Sequence, residues 1–170
     1  LREAGTIRAI GGGLNDAVSC ARFLRAGHFD CMMLAGRYTL LDQRALDDML
    51  PLCEEQSVSV LIAVPFNSGI LATGPVPGAK YDYQDAPVDI MEKASRISSI
   101  CQRHDVALEA ASLQFPLSHP SVTSVVPGAM TPHEVLANVS HMKATIPPEL
   151  WSELKEEGLI AESAPLPASM

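Results

Sequence analysis

Val58-Ser59-Val60-Leu61-Ile62-Ala63-Val64, followed by Pro65-Phe66-Asn67-Ser68-Gly69, decides the fold. Seven residues with a single polar interruption predict a strand buried on both faces, and Pro65 ends it. Upstream, residues 42–56 read as an amphipathic helix with Leu46, Met49, Leu50 and Cys53 on one face. Residues 29–35 form another apolar run, broken only by Asp30. Residues 17–26 predict a helix that Asn15 or Asp16 can cap and Gly27 stops. The β-prone residues 6–10 then read as a first strand, ending in a loop at Gly11-Gly12-Gly13.

Downstream, residues 75–87 hold Pro75, Pro77, Gly78 and Pro87 with Tyr81 and Tyr83, a candidate lid. Helices are predicted over 90–104 and 108–115, a strand over 122–126, a helix opened by Thr131-Pro132, and a last helix over 146–159. Strands alternating with helices imply parallel pairing, and apolar strands imply a sheet covered by helices or closed on itself. The class is α/β. Residues 1–160 form one unit, and 161–170 are expected as a loose C-terminal tail.

The chain has 170 residues, 47% hydrophobic and 19% charged, enough apolar content for one packed core. Its formal charge of −8 offers no footprint for a phosphate backbone, so nucleic acid is not the expected partner. No apolar run reaches the roughly 20 residues of a membrane span. Residues 1–6 lack the pattern of a secretory signal, so a cytoplasmic setting is expected. Cys20, Cys31, Cys53 and Cys101 sit in apolar or helical segments without C-x-x-C spacing and read as buried thiols. The five histidines are scattered singly, and no metal site is expected.

In parallel α/β proteins, ligands gather at the carboxyl ends of strands. Those ends read Gly11-Gly12-Gly13-Leu14-Asn15, Ala35-Gly36-Arg37-Tyr38, Phe66-Asn67-Ser68-Gly69 and Pro127-Gly128-Ala129-Met130-Thr131. A G-x-G-x-x-G fingerprint would need glycine where Asp16 stands, which weakens a Rossmann reading. Small polar residues in Asn67-Ser68-Gly69 suit a backbone nest around an anion, or an ordinary turn.

In order along the chain, Ile7-Arg8-Ala9-Ile10-Gly11, Leu34-Ala35-Gly36-Arg37-Tyr38-Thr39-Leu40-Leu41, Phe66-Asn67-Ser68-Gly69-Ile70-Leu71, Leu113-Gln114-Phe115-Pro116-Leu117 and Val126-Pro127-Gly128-Ala129 resemble the aldo-keto reductase superfamily, specifically its aldose dehydrogenase branch. The resemblance implies a (β/α)₈ TIM barrel, of which this chain is similar to the C-terminal half, strands five to eight. It implies an NAD(P)-dependent oxidoreductase acting on a sugar or aldehyde, with pyridoxal a further substrate of the same branch. The family's catalytic Asp, Tyr, Lys and His belong to strands two to four, so no catalytic residue is assigned here.

What the resemblance carries over is a cofactor site. Asn15 matches the carboxamide-binding Asn. Phe66, Asn67, Ser68, Gly69 and Leu71 match the pyrophosphate loop, and Gly128, Ala129, Met130, Glu134 and Asn138 match the segment that holds the adenosine. Glu134 stands where NADP-dependent members place Arg, so NAD is expected over NADP. Ala63 and Ala35 replace the family's stacking aromatic and strand-six Gln, which leaves Arg37, Tyr38 or Phe66 to rebuild the nicotinamide contacts. Arg37 and Tyr38 are also the substrate candidates.

Each role has a plainer rival. Asn15 and Thr131 are placed to cap helices, Glu134 is a carboxylate on a helix face, Arg37 can pair with Asp42 or Asp30, and Tyr81 and Tyr83 suit surface packing. A different class of function is a non-catalytic half-barrel that binds nucleotide or a partner chain, with self-association through open sheet edges. A flavodoxin-like or Rossmann module would instead reverse its strand order at a switch point.

Overall fold

The structure, a computed structural model, describes residues 1–167. Strands β1 (Gly11–Leu14), β2 (Cys31–Ala35), β3 (Ser59–Ala63) and β6 (Val122–Val126) form one parallel sheet in the order β1-β2-β3-β6. Each new strand is added beside the last, so this sheet has no reversal of strand order and no switch point. A small antiparallel hairpin, β4 (Lys80–Tyr81) and β5 (Gln84–Asp85), lies apart from the sheet.

The helices are α1 (Ala17–Ala26), α2 (Met49–Glu55), α3 (Ile70–Thr73), α4 (Val88–Arg103), α5 (Leu108–Gln114), α6 (Pro132–Lys143) and α7 (Pro148–Glu156). On α1, Ala17, Cys20, Ala21 and Leu24 recur at helical spacing and are buried. Asp16 caps that helix by accepting from Ser19 N–H at 2.8 Å, and Gly27 N–H donates to Phe23 O at 3.1 Å where it stops.

One face of the sheet carries the core. Met32, Leu34, Val60, Ile62 and Val122 are buried with Leu24, Leu50, Ile97, Phe115, Leu150 and Trp151, each such large side chain contributing about 1.5–3 kcal/mol. The other face, with Gly13, Met33 and Leu61 in one row and Ala35, Ala63 and Val126 in the next, is only half-buried or exposed. Of the two expected arrangements, a sheet covered by helices on both faces is not met within this chain, because the core covers only one face.

Four further expectations need correction. Gly11-Gly12-Gly13 is the first strand and not the loop after it. Residues 6–10 precede the ladder, and Ile10 O accepts from Asp30 N–H at 2.8 Å. The glycines are needed for close strand approach, because a Cβ at Gly11 would sit 2.6 Å from Cys31 Sγ and 3.0 Å from Cys31 O. The helix expected over 42–56 is split into a 3₁₀ turn at Arg44–Asp47 and α2. Pro51 lacks an N–H and is tolerated only in a first turn, so the helix restarts just before it. Pro148 likewise becomes the first residue of α7 and shortens the helix expected over 146–159.

The expected loose tail is instead held against the body from residue 161 to residue 167. Lys155 Nζ donates to Glu162 O at 2.7 Å and to Ala164 O at 2.9 Å, and Ala164 is buried, so residues 161–167 are docked. Residues 168–170 of the expected tail lie outside the described residues. Among the described residues, no helix is long and apolar enough to cross a membrane.

Gly11→Ala should destabilise the protein by about 1–3 kcal/mol in urea unfolding, because a backbone oxygen and a sulfur must move. Gly13→Ala, whose Cβ would meet its nearest atom at 4.0 Å, should change stability by no more than about 0.5 kcal/mol. Equal costs at both positions would contradict the account.

Candidate functional site

Parallel pairing brings the segments after β1, β2, β3 and β6 to one end of the sheet. A cavity of about 170 Å³ opens there, lined by Asn15, Ala35, Gly36, Arg37, Val64, Asn67, Ser68, Asp82 and Tyr83. A slightly larger hollow, about 200 Å³, lies at the amino ends of β3 and β6 between Cys53, Ser57, Ser59, Ser121 and Thr123, with Glu54 the only charged residue in its lining. Volume favours the second and chemistry the first. Both hollows have polar linings and a residue at positive φ, but the cation Arg37 and the unpartnered Asn67 Oδ1 are at the carboxyl rim, so the site is placed there.

Gly36 starts the rim. Its φ of +67° and the 3.5 Å from its virtual Cβ to Asn67 Nδ2 favour glycine at this position. Gly36 N–H donates to Ala63 O at 2.9 Å, and Gly36 O accepts from Asn67 Nδ2 at 3.2 Å. The loop after β3 is strained, with positive φ at Val64, Asn67, Ser68 and Gly69. Such a value is uncommon for a β-branched residue such as Val64. Asn67 is 2% exposed, and its Oδ1 is buried without a partner. An orphaned acceptor in a cavity wall suits a ligand that brings a donor.

The anion nest expected in this loop is not built from the groups it needs. N–H groups of Asn67, Gly69 and Leu71 donate to Val64 O and Phe66 O, so they turn inward. What the loop offers to the cavity is the Asn67 carboxamide and Ser68, whose Oγ accepts from Tyr83 N–H at 3.0 Å.

Arg37 is the cation of the rim. Its Nε donates to Asn15 O at 2.9 Å, and its two terminal nitrogens donate to Asp82 Oδ1 and Oδ2, each at 2.9 Å. Asp42 Oδ2 lies 3.7 Å from the same guanidinium. Of the expected partners, Asp42 is thus a neighbour, whereas Asp30 is taken by Arg2. Asp82 sits in a two-residue turn between β4 and β5, with φ of 50° there and 66° at Tyr83, so the expected candidate lid contains a hairpin that reaches the cavity.

Asp42 anchors this arrangement from below. Burial pushes its carboxyl up, but hydrogen bonds from Arg44 Nη2 at 2.6 Å, Nε at 3.1 Å and the backbone N–H at 3.1 Å outweigh that and hold it below the usual range. Tyr81 OH also donates to it, at 3.4 Å. Hydrogen bonds that Arg37 donates to Asp82 outweigh its partial burial and push its pKa up, so the guanidinium stays charged.

Several expected site residues lie elsewhere. Tyr38 is 0% exposed, with its ring centroid 5.4 Å from Phe115 and 5.8 Å from His119. Ser118 Oγ is turned to the Phe115 and Pro165 carbonyls, and burial pushes the Tyr38 hydroxyl up to about 12. It is a core residue and not a substrate contact. Leu71 is also fully buried. Phe66 and Gly69 are half-buried beside the cavity-lining residues.

Gly128, Ala129 and Met130 are exposed on the segment after β6, and Asn138 is half-buried on α6. Thr131 caps α6 by accepting from Glu134 N–H at 3.2 Å, while Glu134 Oε2 accepts from Met130 N–H at 2.7 Å. Asp16 takes the cap at α1, so Asn15 does not. Sequence reasoning named Asp42 only as a pairing partner of Arg37 and missed Asp82, since no local pattern announces a partner 45 residues away. Their only sequence signal was acidity beside Arg37 and within a Pro-rich loop.

The protein-family comparison matches residues 1–157 to the Aldo/keto reductase family. Among curated proteins, the chain is 41% identical to a pyridoxal 4-dehydrogenase of Microbacterium luteolum over 95% of this chain and 47% of that protein. It is 40% identical to a D-threo-aldose 1-dehydrogenase of a Pseudomonas species over 94% of this chain and 49% of that protein. The chain spans about half the length of these relatives. In solved structures, the holo form of an aldo-keto reductase from Bacillus halodurans is similar with a TM-score of 0.72 and 25% identity, over 96% of this chain and 54% of that one.

The acid behaviour of Asp42 provides a check. Its folded-state pKa lies below an unfolded value of about 3.9, so between the two the unfolded chain binds more protons. The stability it contributes is whole above the unfolded value and is lost as pH falls through the folded one. Asp42→Asn should cost about 2 kcal/mol at pH 7 and flatten the loss of stability below about pH 4 in urea unfolding. An unchanged midpoint at pH 7 would refute the role given to this carboxylate.

Proposed function

Because the chain belongs to the aldo/keto reductase family, we propose that it is the C-terminal half of a (β/α)₈ barrel and supplies most of the dinucleotide site of an NAD-dependent oxidoreductase. The carrying observation is that four parallel strands in chain order deliver four loops to one rim, where a polar cavity opens. The half-exposed sheet face and the two edge strands β1 and β6 fit a sheet continued by further strands. The names of the curated relatives suggest a sugar or a pyridoxal-like aldehyde as the substrate.

The residues fit a dinucleotide. Asn15 and Asn67 line the cavity, Asn15 as the residue that would meet the carboxamide and Asn67 in the loop that would meet the diphosphate, and the orphaned Asn67 Oδ1 can accept from a donor that the ligand brings. Ser68 provides a hydroxyl for a diphosphate, once it gives up Tyr83 N–H. Gly128, Ala129 and Met130 lead into α6 on the same rim, with Glu134 and Asn138 on its first turns for the adenosine. The nicotinamide, when bound, supplies hydride transfer. This chain's residues bind it, orient it and limit water at the reacting face; no proton-transfer residue is assigned to them.

Glu134 sets the cofactor preference in this reading. Its carboxylate can exchange Met130 N–H for a ribose hydroxyl, whereas a 2′-phosphate would meet like charge. Titrating the intact protein with NAD and NADP by nicotinamide-sensitive fluorescence should give tighter binding of NAD, and Glu134→Arg should shift the preference towards NADP. Equal affinity, or tighter NADP binding, would defeat the assignment. Absence of binding by either dinucleotide would favour the second reading, a non-catalytic half-barrel that pairs through its open sheet face and edges.

A further inference from the structure

We propose that the guanidinium fork of Arg37 is an oxyanion-binding site whose ligand position is held by Asp82 until a phosphate or carboxylate group of a ligand displaces it. The inference deepens the reading of the rim as a binding site, but it stands on the geometry of Arg37 alone.

Arg37 has two carboxylate neighbours of different character. Asp42 is built in: its side chain is 4% exposed and held by four hydrogen bonds from three donors of Arg44 within the same loop. Asp82 is 48% exposed and stands in a turn at positive φ. Yet the exposed partner makes the better contact, with both terminal nitrogens bonded in the planar fork that recognises carboxylates and phosphates. Arg37 itself, at 15% exposed, needs a counter-charge in that position. When the hairpin withdraws, Asp42 at 3.7 Å and the carbonyls of Asn15 and Gly36 keep the guanidinium in place, with its fork open to the cavity.

The cost of exchange is small for the same reason. The hairpin is tied to the rim at its tip by the Tyr83 N–H to Ser68 Oγ bond and by the Arg37 pair, and at its base by the long Tyr81 OH to Asp42 bond, which exchange at the tip leaves in place. An incoming oxyanion replaces Asp82 oxygen for oxygen and leaves no buried charge unpaired. Lys80 pairs with Asp85 on the same hairpin, so Asp85 is a nearby acid of equal charge that does not touch Arg37.

Calorimetric titration of the intact protein with inorganic pyrophosphate at constant ionic strength tests this directly. Asp82→Asn should tighten pyrophosphate binding about fivefold, Asp85→Asn should leave it unchanged, and Arg37→Gln should abolish it. Should Arg37→Gln fail to fold, Arg37→Lys keeps the charge but loses the fork and should bind more weakly than wild type. No gain in Asp82→Asn, an equal gain in Asp85→Asn, or wild-type affinity in Arg37→Gln or Arg37→Lys would overturn the proposal.

Parallel titrations identify the source of the oxyanion. An equal gain for NAD in Asp82→Asn makes it the dinucleotide diphosphate; a gain for pyrophosphate and acetate with NAD unchanged makes it a group on the substrate. If no variant binds NAD while pyrophosphate follows the pattern above, the cofactor reading fails and the oxyanion site stands.

Discussion

A guanidinium as largely buried as that of Arg37 must keep a counter-charge, and the rim of this molecule is arranged around that requirement. Its Nε holds the end of β1 through Asn15 O, its terminal nitrogens hold the hairpin through Asp82, and Asp42 faces it from within its own loop. Without Arg37 the segments after β1 and β2 and the hairpin would share an end of the sheet but lack a common charged anchor.

The loop that carries Arg37 is fixed from several directions. Thr39 Oγ1 accepts from Leu41 and Asp42 N–H groups, Lys93 Nζ of α4 donates to Leu41 O at 3.1 Å, and Gln43 Oε1 accepts from Ala161 N–H at 3.3 Å. Tyr38, Leu40 and Leu41 bury their side chains on the core side of the same loop. Packing below and hydrogen bonds at the flanks leave the strained segment after β3 as the part of the rim with an unpaired acceptor, at Asn67. Preorganised polar groups on rigid supports are what binding of a charged, multi-part ligand demands.

Much of this was legible in the sequence because it is local. Val122-Thr123-Ser124-Val125-Val126 was expected as a strand and forms β6, and the alternation of apolar runs with 3.6-period segments yielded the α/β class. The strand ends were found because they follow those runs. The triple glycine misled because glycine signals both a turn and close strand packing, and only the position of Cys31 decides between them. Tyr38 and Leu71 read as site residues from their neighbours along the chain, yet their side chains point into the core. Arg37 paired with Asp82 through a hairpin that the Pro-rich composition concealed, a contact set by tertiary geometry.

The central claim is that one rim, made by the loops after the parallel strands, receives a dinucleotide. Hydrogen–deuterium exchange of the intact protein with and without NAD tests it most directly. The account requires added protection at residues 15, 67–69 and 128–134. Protection confined to residues 57–59 and 120–123 around the hollow at the amino ends, or none at the rim at saturating NAD, would contradict it.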